Sequence, residues 1–353
     1  MKTMKLFLQR TIGRLTVLSL GIAASVISHS SEASMTVPVM HDARPLCIAR
    51  FSIDVPRTAQ VYNQQFKYMN YAIETSPNVS HEVFEKRLAD RENVLRTSKR
   101  MDMAHLPNTT KNAWLQQSLK TSDNSRLFIF TDGDSETVAI PYDVEGYAWA
   151  GNSMFTLKNT FAKTYDETDL RTAEQILPHI RPRGEWEVPD DGAFCFNGGA
   201  ISGKPMPSFD ATVAVGLVAG RPSNLIVEMR ESVDADQKAS LLKGLAGFEA
   251  KLKPYANHYK VLRKDKRDIL GQEAEELLVQ IQEGGIEKYQ FYLFAPGVPG
   301  DASKPNTAIQ LLFGATQDAV TPATVATSPV TEGQAIQTWD ALVNSIRYRG
   351  ISK

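Results

Sequence analysis

The stretch Ile180-Arg-Pro-Arg-Gly184 in the middle of the chain returns at its end as Ile346-Arg-Tyr-Arg-Gly350. Each copy follows apolar residues at the spacing of one helix face. These residues are Leu170, Ala173, Leu177 and Ile180 in the first copy and Ile336, Trp339, Val343 and Ile346 in the second. Helical spacing alone is common, but spacing together with a shared ending indicates that the second half of the chain is a diverged copy of the first. Pro178 predicts that regular helix ends early in the first copy.

Other predicted elements follow in the same order in both halves. Each half opens with a cysteine-containing, strand-like stretch, Cys47-Ile-Ala-Arg-Phe-Ser-Ile-Asp-Val-Pro56 and Ala193-Phe-Cys-Phe-Asn-Gly-Gly-Ala-Ile201. A long amphipathic helix is expected next, over about 78–96 and about 234–253. Phe84, Leu88 and Leu95 lie on the apolar face of the first helix, and Asp234 with Gln237 is a capping pair for the second. The predicted strands that follow are 127–131, 137–150, 153–161, 259–262, 273–282, 287–295 and 307–315.

Short turns between these strands, such as Gly284-Gly285, favour antiparallel pairing. The sequence therefore predicts an α+β fold of two tandem, internally duplicated domains, each a curved antiparallel sheet with helices on one face. The expected domains are residues 42–183 and 193–350. Residues 184–192 form the expected linker, because prolines and glycines around them interrupt regular elements.

The first 33 residues have the pattern of a secretory signal peptide. Lys2, Lys5, Arg10 and Arg14 precede an apolar run over 15–28 that is too short to span a bilayer. Ser31 and Ala33 supply the small residues that a signal peptidase needs, so we expect cleavage near Ala33 and export to the periplasm.

The net charge of the chain limits its partners. The full chain has 39 Lys+Arg and 40 Asp+Glu. Without residues 1–33, 35 and 39 remain and the net charge is near −4, which argues against nucleic acid or an anionic membrane as partner. No membrane anchor is expected.

Cys47 and Cys195 are the two cysteines of the chain. An even pair in an exported protein favours a disulfide, here closing a loop of roughly 150 residues and worth on the order of 4–5 kcal/mol in the chain-entropy model. The alternative is two buried thiols in separate cores, because both cysteines lie in apolar, strand-like contexts.

No motif for catalysis, cofactor binding or metal binding was identified. The six histidines are scattered along the chain, and Gly198 to Lys204 has phosphate-loop spacing but is followed by Pro205. Glu273, Glu275 and Glu276 form the densest carboxylate group, and solvation on a strand is its ordinary explanation. The expected function is therefore not enzymatic and needs no cofactor, although a hydrolase using carboxylates stays a third hypothesis.

The chain resembles immunity proteins of the Tli4-like family, which protect bacteria against phospholipase effectors of the type VI secretion system. The resemblance runs from about Arg44 to Gly350 and rests on four segments in order. They are Cys47 to Pro56, Gly192-Ala-Phe-Cys-Phe-Asn-Gly-Gly199, Gly271-Gln-Glu-Ala-Glu275, and Trp339 to Arg349. Ala49 departs from the glycine expected before the arginine of the first segment.

The resemblance implies two α+β domains arranged like a claw, which grip a lipase effector in the periplasm and keep its active site from lipid. The family's shared motifs contain no known contact residue, so the partner interface is not predicted. Tyr142, Tyr147 and Trp149 are aromatic candidates for it, with sheet packing as an equal alternative. A binding or scaffold protein for another envelope partner or ligand is the second hypothesis.

Overall fold

The computed structural model describes residues 39–101, 110–131, 142–161, 171–244, 258–316 and 321–350. The predicted signal peptide, residues 1–33, lies outside these ranges. The elements of the first half are β1 (Ala43–Ile48), β2 (Phe51–Pro56), β3 (Gln60–Tyr68), β4 (Tyr71–Pro77), α1 (His81–Thr97), β5 (Lys99–Met101), β6 (Thr110–Ala113), β7 (Leu115–Ser122), β8 (Ser125–Phe130), β9 (Tyr142–Ala150), β10 (Ser153–Phe161), α2 (Ala173–Ile176) and β11 (Ile180–Pro182).

The second half repeats most of this succession, without a counterpart of β5 and β6 among the described residues. Its elements are β12 (Phe194–Phe196), β13 (Gly199–Ile201), β14 (Phe209–Gly216), β15 (Ser223–Arg230), β16 (Tyr259–Ile269), β17 (Gln272–Glu283), β18 (Ile286–Ala295), β19 (Asn306–Phe313), α3 (Ala323–Ala326), α4 (Glu332–Asn344) and β20 (Arg347–Tyr348). No helix among the described residues is long and apolar enough to cross a membrane.

Within the described ranges, twelve strands form one antiparallel sheet, and its order shows the duplication. The first half contributes β3-β4-β10-β9-β8-β7, and the second contributes β14-β15-β19-β18-β17-β16. Each half thus contributes a hairpin and then a four-stranded meander. The last strand of the meander pairs with the second strand of the hairpin, β10 with β4 and β19 with β15. Strands β3 and β14 pair with each other and join the halves. The predicted α+β fold with antiparallel sheets is confirmed.

Each half begins with a hairpin, β1–β2 or β12–β13, which we call its opening hairpin and which packs on the middle of the long sheet. A third strand from the other half completes each of these small sheets. Strand β20, at the end of the second half, pairs with β2. Strand β11, at the end of the first half, pairs with β13. The two repeated Ile-Arg-x-Arg-Gly segments are therefore exchanged between the halves. One hydrophobic core results, with Phe66 and Leu157 of the first half and Val213 and Phe291 of the second buried in it.

In the first half, helices lie on both faces of the sheet. Helix α1 buries Phe84 and Leu88 against Phe128, whereas α2 packs in the core that contains the alternate residues Leu127 and Ile129. Successive strand residues point to opposite faces, so a run that is apolar at every position needs cover on both. Residues Leu127–Phe130 of β8 are such a run, so the sequence itself indicates cover on both faces of this strand.

The second long helix does not begin at Asp234 as predicted. A 3-10 helix spans Asp234–Lys238, where Asp236 accepts hydrogen bonds from Arg230 and from the Val233 N–H. Regular helix begins at residue 241, since the Ser240 hydroxyl accepts a hydrogen bond from the Lys243 N–H. The rest of this predicted helix, residues 245–253, lies outside the described ranges.

The first predicted helix is observed as α1, with Ser80 as its N-cap, and Pro178 does end regular helix early: α2 stops at Ile176 and a 3-10 turn follows. The remaining predicted strands are present, but the strand predicted over 259–262 extends to Ile269 as β16. The strand predicted over 137–150 is seen from Tyr142 onward, and residues 137–141 and Leu170 are not among the described residues. Strand β7 was not predicted because its alternation is mostly polar.

Candidate partner-binding surface

The carboxylates of β17 do not converge on one site. Glu273 pairs with Lys266 across the hairpin, at 2.7 Å between Oε1 and Nζ. Glu275 accepts hydrogen bonds from the Ser240 hydroxyl and the Leu242 N–H, so it caps the helix that starts there. Each of these side chains has a structural partner. Across the described ranges, no three His, Cys, Asp or Glu side chains are grouped as a metal ion requires.

Glu276 lies on the opposite face of β17 and is 2 % exposed. Its carboxylate accepts hydrogen bonds from Arg263, Arg267 and the Trp339 indole. Both arginines also bind Asp340 of α4. This charged network ties α4 to the outer strands of the sheet, and the hydrogen bond from Arg263 holds the pKa of Asp340 below its ordinary value of 3.8.

Asp340→Asn is expected to flatten the acid limb of the stability curve. The pKa of Asp340 is lower in the folded than in the unfolded chain, so its stabilising contribution is complete above the unfolded pKa and is lost as pH falls through the folded one. Urea unfolding of wild type and variant from pH 7 to pH 2 should show a difference that shrinks below about pH 4. Asp90→Asn, on the outer side of α1, controls for loss of a surface carboxylate. A difference that stays constant down to pH 2 would contradict the assignment.

The three aromatic candidates of β9 are sheet-packing residues. The Trp149 indole donates to the Val79 carbonyl, at 2.7 Å, and its ring contacts His81 at the start of α1. Tyr147 packs on Phe128 and donates to Glu145, and burial first, then this carboxylate, raises its pKa. Tyr142 packs against the central core. Trp149 and Tyr147 thus pack with the cluster that holds α1, and the three side chains do not form one free aromatic patch.

Cys47 and Cys195 form a disulfide, with 2.06 Å between the sulfur atoms. The bond joins β1 to β12, the first strands of the two opening hairpins. Beside it, the Arg349 guanidinium donates to the carbonyls of Ala49 and Ala193, one from each half. Burial, then the charges of Arg183 and Arg50, lowers the pKa of Arg349 to about 10. The second arginine of the repeated motif, Arg349, is therefore a half-buried donor to backbone carbonyls at the junction of the halves.

The middle of the long sheet has one face packed on the core and one face in solvent. We call the solvent side of β3, β4, β10 and β14 the open face. Its exposed side chains are Asn63, Gln65, Lys67, Glu74, Lys158, Thr160 and Asp210. They alternate along the strands with buried residues such as Phe66 and Leu157. Both charge signs are interspersed, and Lys158 pairs with Glu74 at 2.9 Å. Such a surface suits a hydrated protein partner better than lipid or nucleic acid.

Two features mark the border of the open face. A β-bulge in β3 leaves Tyr62 without a register partner on β14, and its side chain is 57 % exposed, the highest fraction among the large apolar side chains described. Helix α1 borders the open face on one side, where its Arg91 donates two hydrogen bonds to Glu145 of β9. An exposed tyrosine beside a polar surface is a common arrangement at protein–protein contacts. Sequence reasoning missed this surface because it depends on which strands meet in the middle of the sheet.

Two open hollows lie elsewhere among the described residues. One of about 310 Å³ is lined by Leu119, Lys120, Thr121, Arg171 and Glu174. Another, of about 200 Å³, lies between residues 40–41 and α4. Both volumes are at or below the lower end for small-molecule sites.

Sequence models of one protein family match both halves in order. The model for the N-terminal domain of Tle cognate immunity protein 4 matches residues 44–176, and the model for its C-terminal domain matches residues 187–350. The two matches cover well over half of the chain, which therefore belongs to the Tle cognate immunity protein 4 family. Comparison with curated protein sequences gave no match.

Several solved structures share this fold over most of their length. The chain is 20 % identical to a chain of the Tle4–Tli4 complex, with a TM-score of 0.73 over 89 % of this chain and 99 % of that one. It is 19 % identical to apo TplEi, a type VI secretion immunity protein from Pseudomonas aeruginosa, with a TM-score of 0.72 over 88 % and 98 % of the two chains. TplEi with a bound "L" peptide gives a TM-score of 0.69 at 19 % identity, over 88 % of this chain and 100 % of that one.

Proposed function

We propose that this protein is a periplasmic immunity protein that binds a cognate type VI secretion phospholipase effector and blocks access to its active site. The match of both family models, in order along the chain, carries the proposal. The charge and the apolar run of residues 1–33 support export. The related structure of Tli4 with Tle4 is an example of such a protein bound to its effector.

The proposal predicts that a lipase effector is encoded beside the gene of this chain, and it is tested by expressing the mature chain, from about Ser34, in the periplasm together with that effector. We expect restored growth and a complex that survives purification. A chain lacking the signal segment, kept in the cytoplasm, is the matched control and should not protect. Unchanged toxicity and no complex would refute the proposal and favour a role with another envelope partner or ligand.

Two substrates separate active-site blocking from exclusion of the lipid surface. If the immunity protein covers the active site, hydrolysis of a small soluble ester and of phospholipid vesicles should both fall in the complex. If vesicle hydrolysis alone falls, the protein keeps the effector from lipid without closing its active site, and the blocking part of the proposal is wrong.

We further propose that the effector contacts the open face. Tyr62→Ala with Lys67→Glu removes an exposed aromatic side chain and reverses a charge there, and we expect affinity to fall about tenfold or more. Val94→Ala with Arg87→Glu makes the matched changes on the outer side of α1, where both side chains are exposed, and should change affinity less than about twofold. Titration calorimetry measures both, after equal melting temperatures show intact folding. The reverse ranking would place the contact elsewhere.

A further inference from the structure

The end strand of each half is built into the other half. Strand β20 follows α4 in the second half and pairs with β2 of the first, where Phe51 faces Tyr348 in the register. Strand β11 makes the equivalent pairing with β13. Separating the halves therefore breaks two small sheets as well as the surface between them.

Side-chain contacts cross the same junction in both directions. Arg50 of the first half is 4 % exposed and donates to the carbonyls of Gly192 and Gly203. Arg349 of the second half donates to the Ala49 carbonyl, and Arg347 forms a bidentate ion pair with Asp54. Pulling the halves apart would leave buried carbonyl groups without their donors, which is costly for each group.

The long sheet is continuous through the junction. Strand β3 pairs with β14 along its length, and residues on both sides of this ladder belong to one core. The connecting segment is itself held in place, since the Arg183 guanidinium donates to the carbonyls of Gly184, Glu185 and Glu187. Residues 184–192 are therefore a fixed loop and not a tether between independent bodies.

From these contacts we infer that the two halves form one rigid, cooperative unit, so that any partner meets a preformed surface. A claw that closes by a hinge between domains would need the exchanged strands, the sheet ladder and the disulfide to give way together. The inference concerns the protein alone, so it is tested without an effector and independently of the proposed function.

The test cuts the connection between the halves in the folded protein. A protease recognition sequence is inserted between Asp190 and Asp191, both exposed, in wild type and in a Cys47→Ala, Cys195→Ala background. After cleavage we expect the two fragments to elute together at the mass of the intact chain, with and without the disulfide, and to unfold in one calorimetric transition. Fragments that separate, or two resolved transitions, would overturn the inference.

Hydrogen exchange of the uncut wild-type chain provides a second measurement if the inserted variants do not fold. The slowest amides of β4 and of β15 should exchange with equal protection within about tenfold, because both would report one global opening. Protection that differs by several orders of magnitude between the halves would show that one opens without the other, and would also overturn the inference.

Discussion

Replacing Cys47 and Cys195 together by alanine is expected to lower the free energy of unfolding by about 4–5 kcal/mol. The bond joins residues 148 positions apart, so its loss frees a large loop in the unfolded chain. Both side chains are buried, at 2 % and 0 % exposure, and alanine avoids placing a hydroxyl or a free thiol in that environment. Most of the loss arises from the unfolded state, so the fold itself should persist.

Urea unfolding of the oxidised wild type and of the double variant measures this effect. A reductant is the internal control, because it should bring the wild type down to the stability of the variant and leave the variant unchanged. A difference below about 1 kcal/mol would mean that the bond constrains the unfolded chain far less than the loop length implies.

The duplication could be predicted because the same pattern occurs in both halves of the sequence. The helix spacing and the shared ending of Ile180–Gly184 and Ile346–Gly350 indicated a repeated unit, and the strand order of the two halves bears this out. The exchange of the end strands could not be predicted in the same way. Two copies of one motif fit either hairpin equally well, and the path of the chain through the fold decides which pairing forms.

The errors in the predicted helices have local causes. The start of the second long helix was placed at Asp234 on a capping pattern, but Asp236 binds Arg230 and holds that segment in a 3-10 turn. This arginine lies on β15, six residues earlier in sequence yet in another element, so periodicity alone gave no sign of the contact. The placement of helices on both faces, by contrast, was readable in Leu127 to Phe130.

The candidate surface was the least predictable part. Its residues are polar alternating positions on four strands, which taken singly are typical of any half-buried sheet. They become one surface only because β3 pairs with β14, a contact between residues far apart in sequence. The aromatic residues of β9 were candidates by residue type alone, and in the structure Tyr147 and Trp149 pack with the cluster that holds α1 while Tyr142 packs on the central core.

Replacing Arg349 by methionine is expected to cost about 3 kcal/mol or more. The guanidinium donates to the Ala193 carbonyl at 2.9 Å and to the Pro189 carbonyl at 2.8 Å, and more distantly to those of Ala49 and Phe51. Methionine fills much of the same space but donates no hydrogen bond, so buried acceptors lose their partner. Burial desolvates the Arg349 charge and lowers its pKa, so removing the charge recovers part of the loss.

Arg347→Met is the matched control, because it changes the same residue type two positions earlier in the same motif. Arg347 pairs with Asp54 near the surface, where its side chain is 51 % exposed, and such a pair contributes about 1 kcal/mol or less. Arg349→Lys should fall between the two, since one ammonium cannot reach carbonyls spread around the guanidinium plane. Urea unfolding ranks the three variants. Equal losses for Arg347→Met and Arg349→Met would mean that both arginines act only as surface charges. The hydrogen bonds of Arg349 at the junction of the halves would then not stabilise the fold.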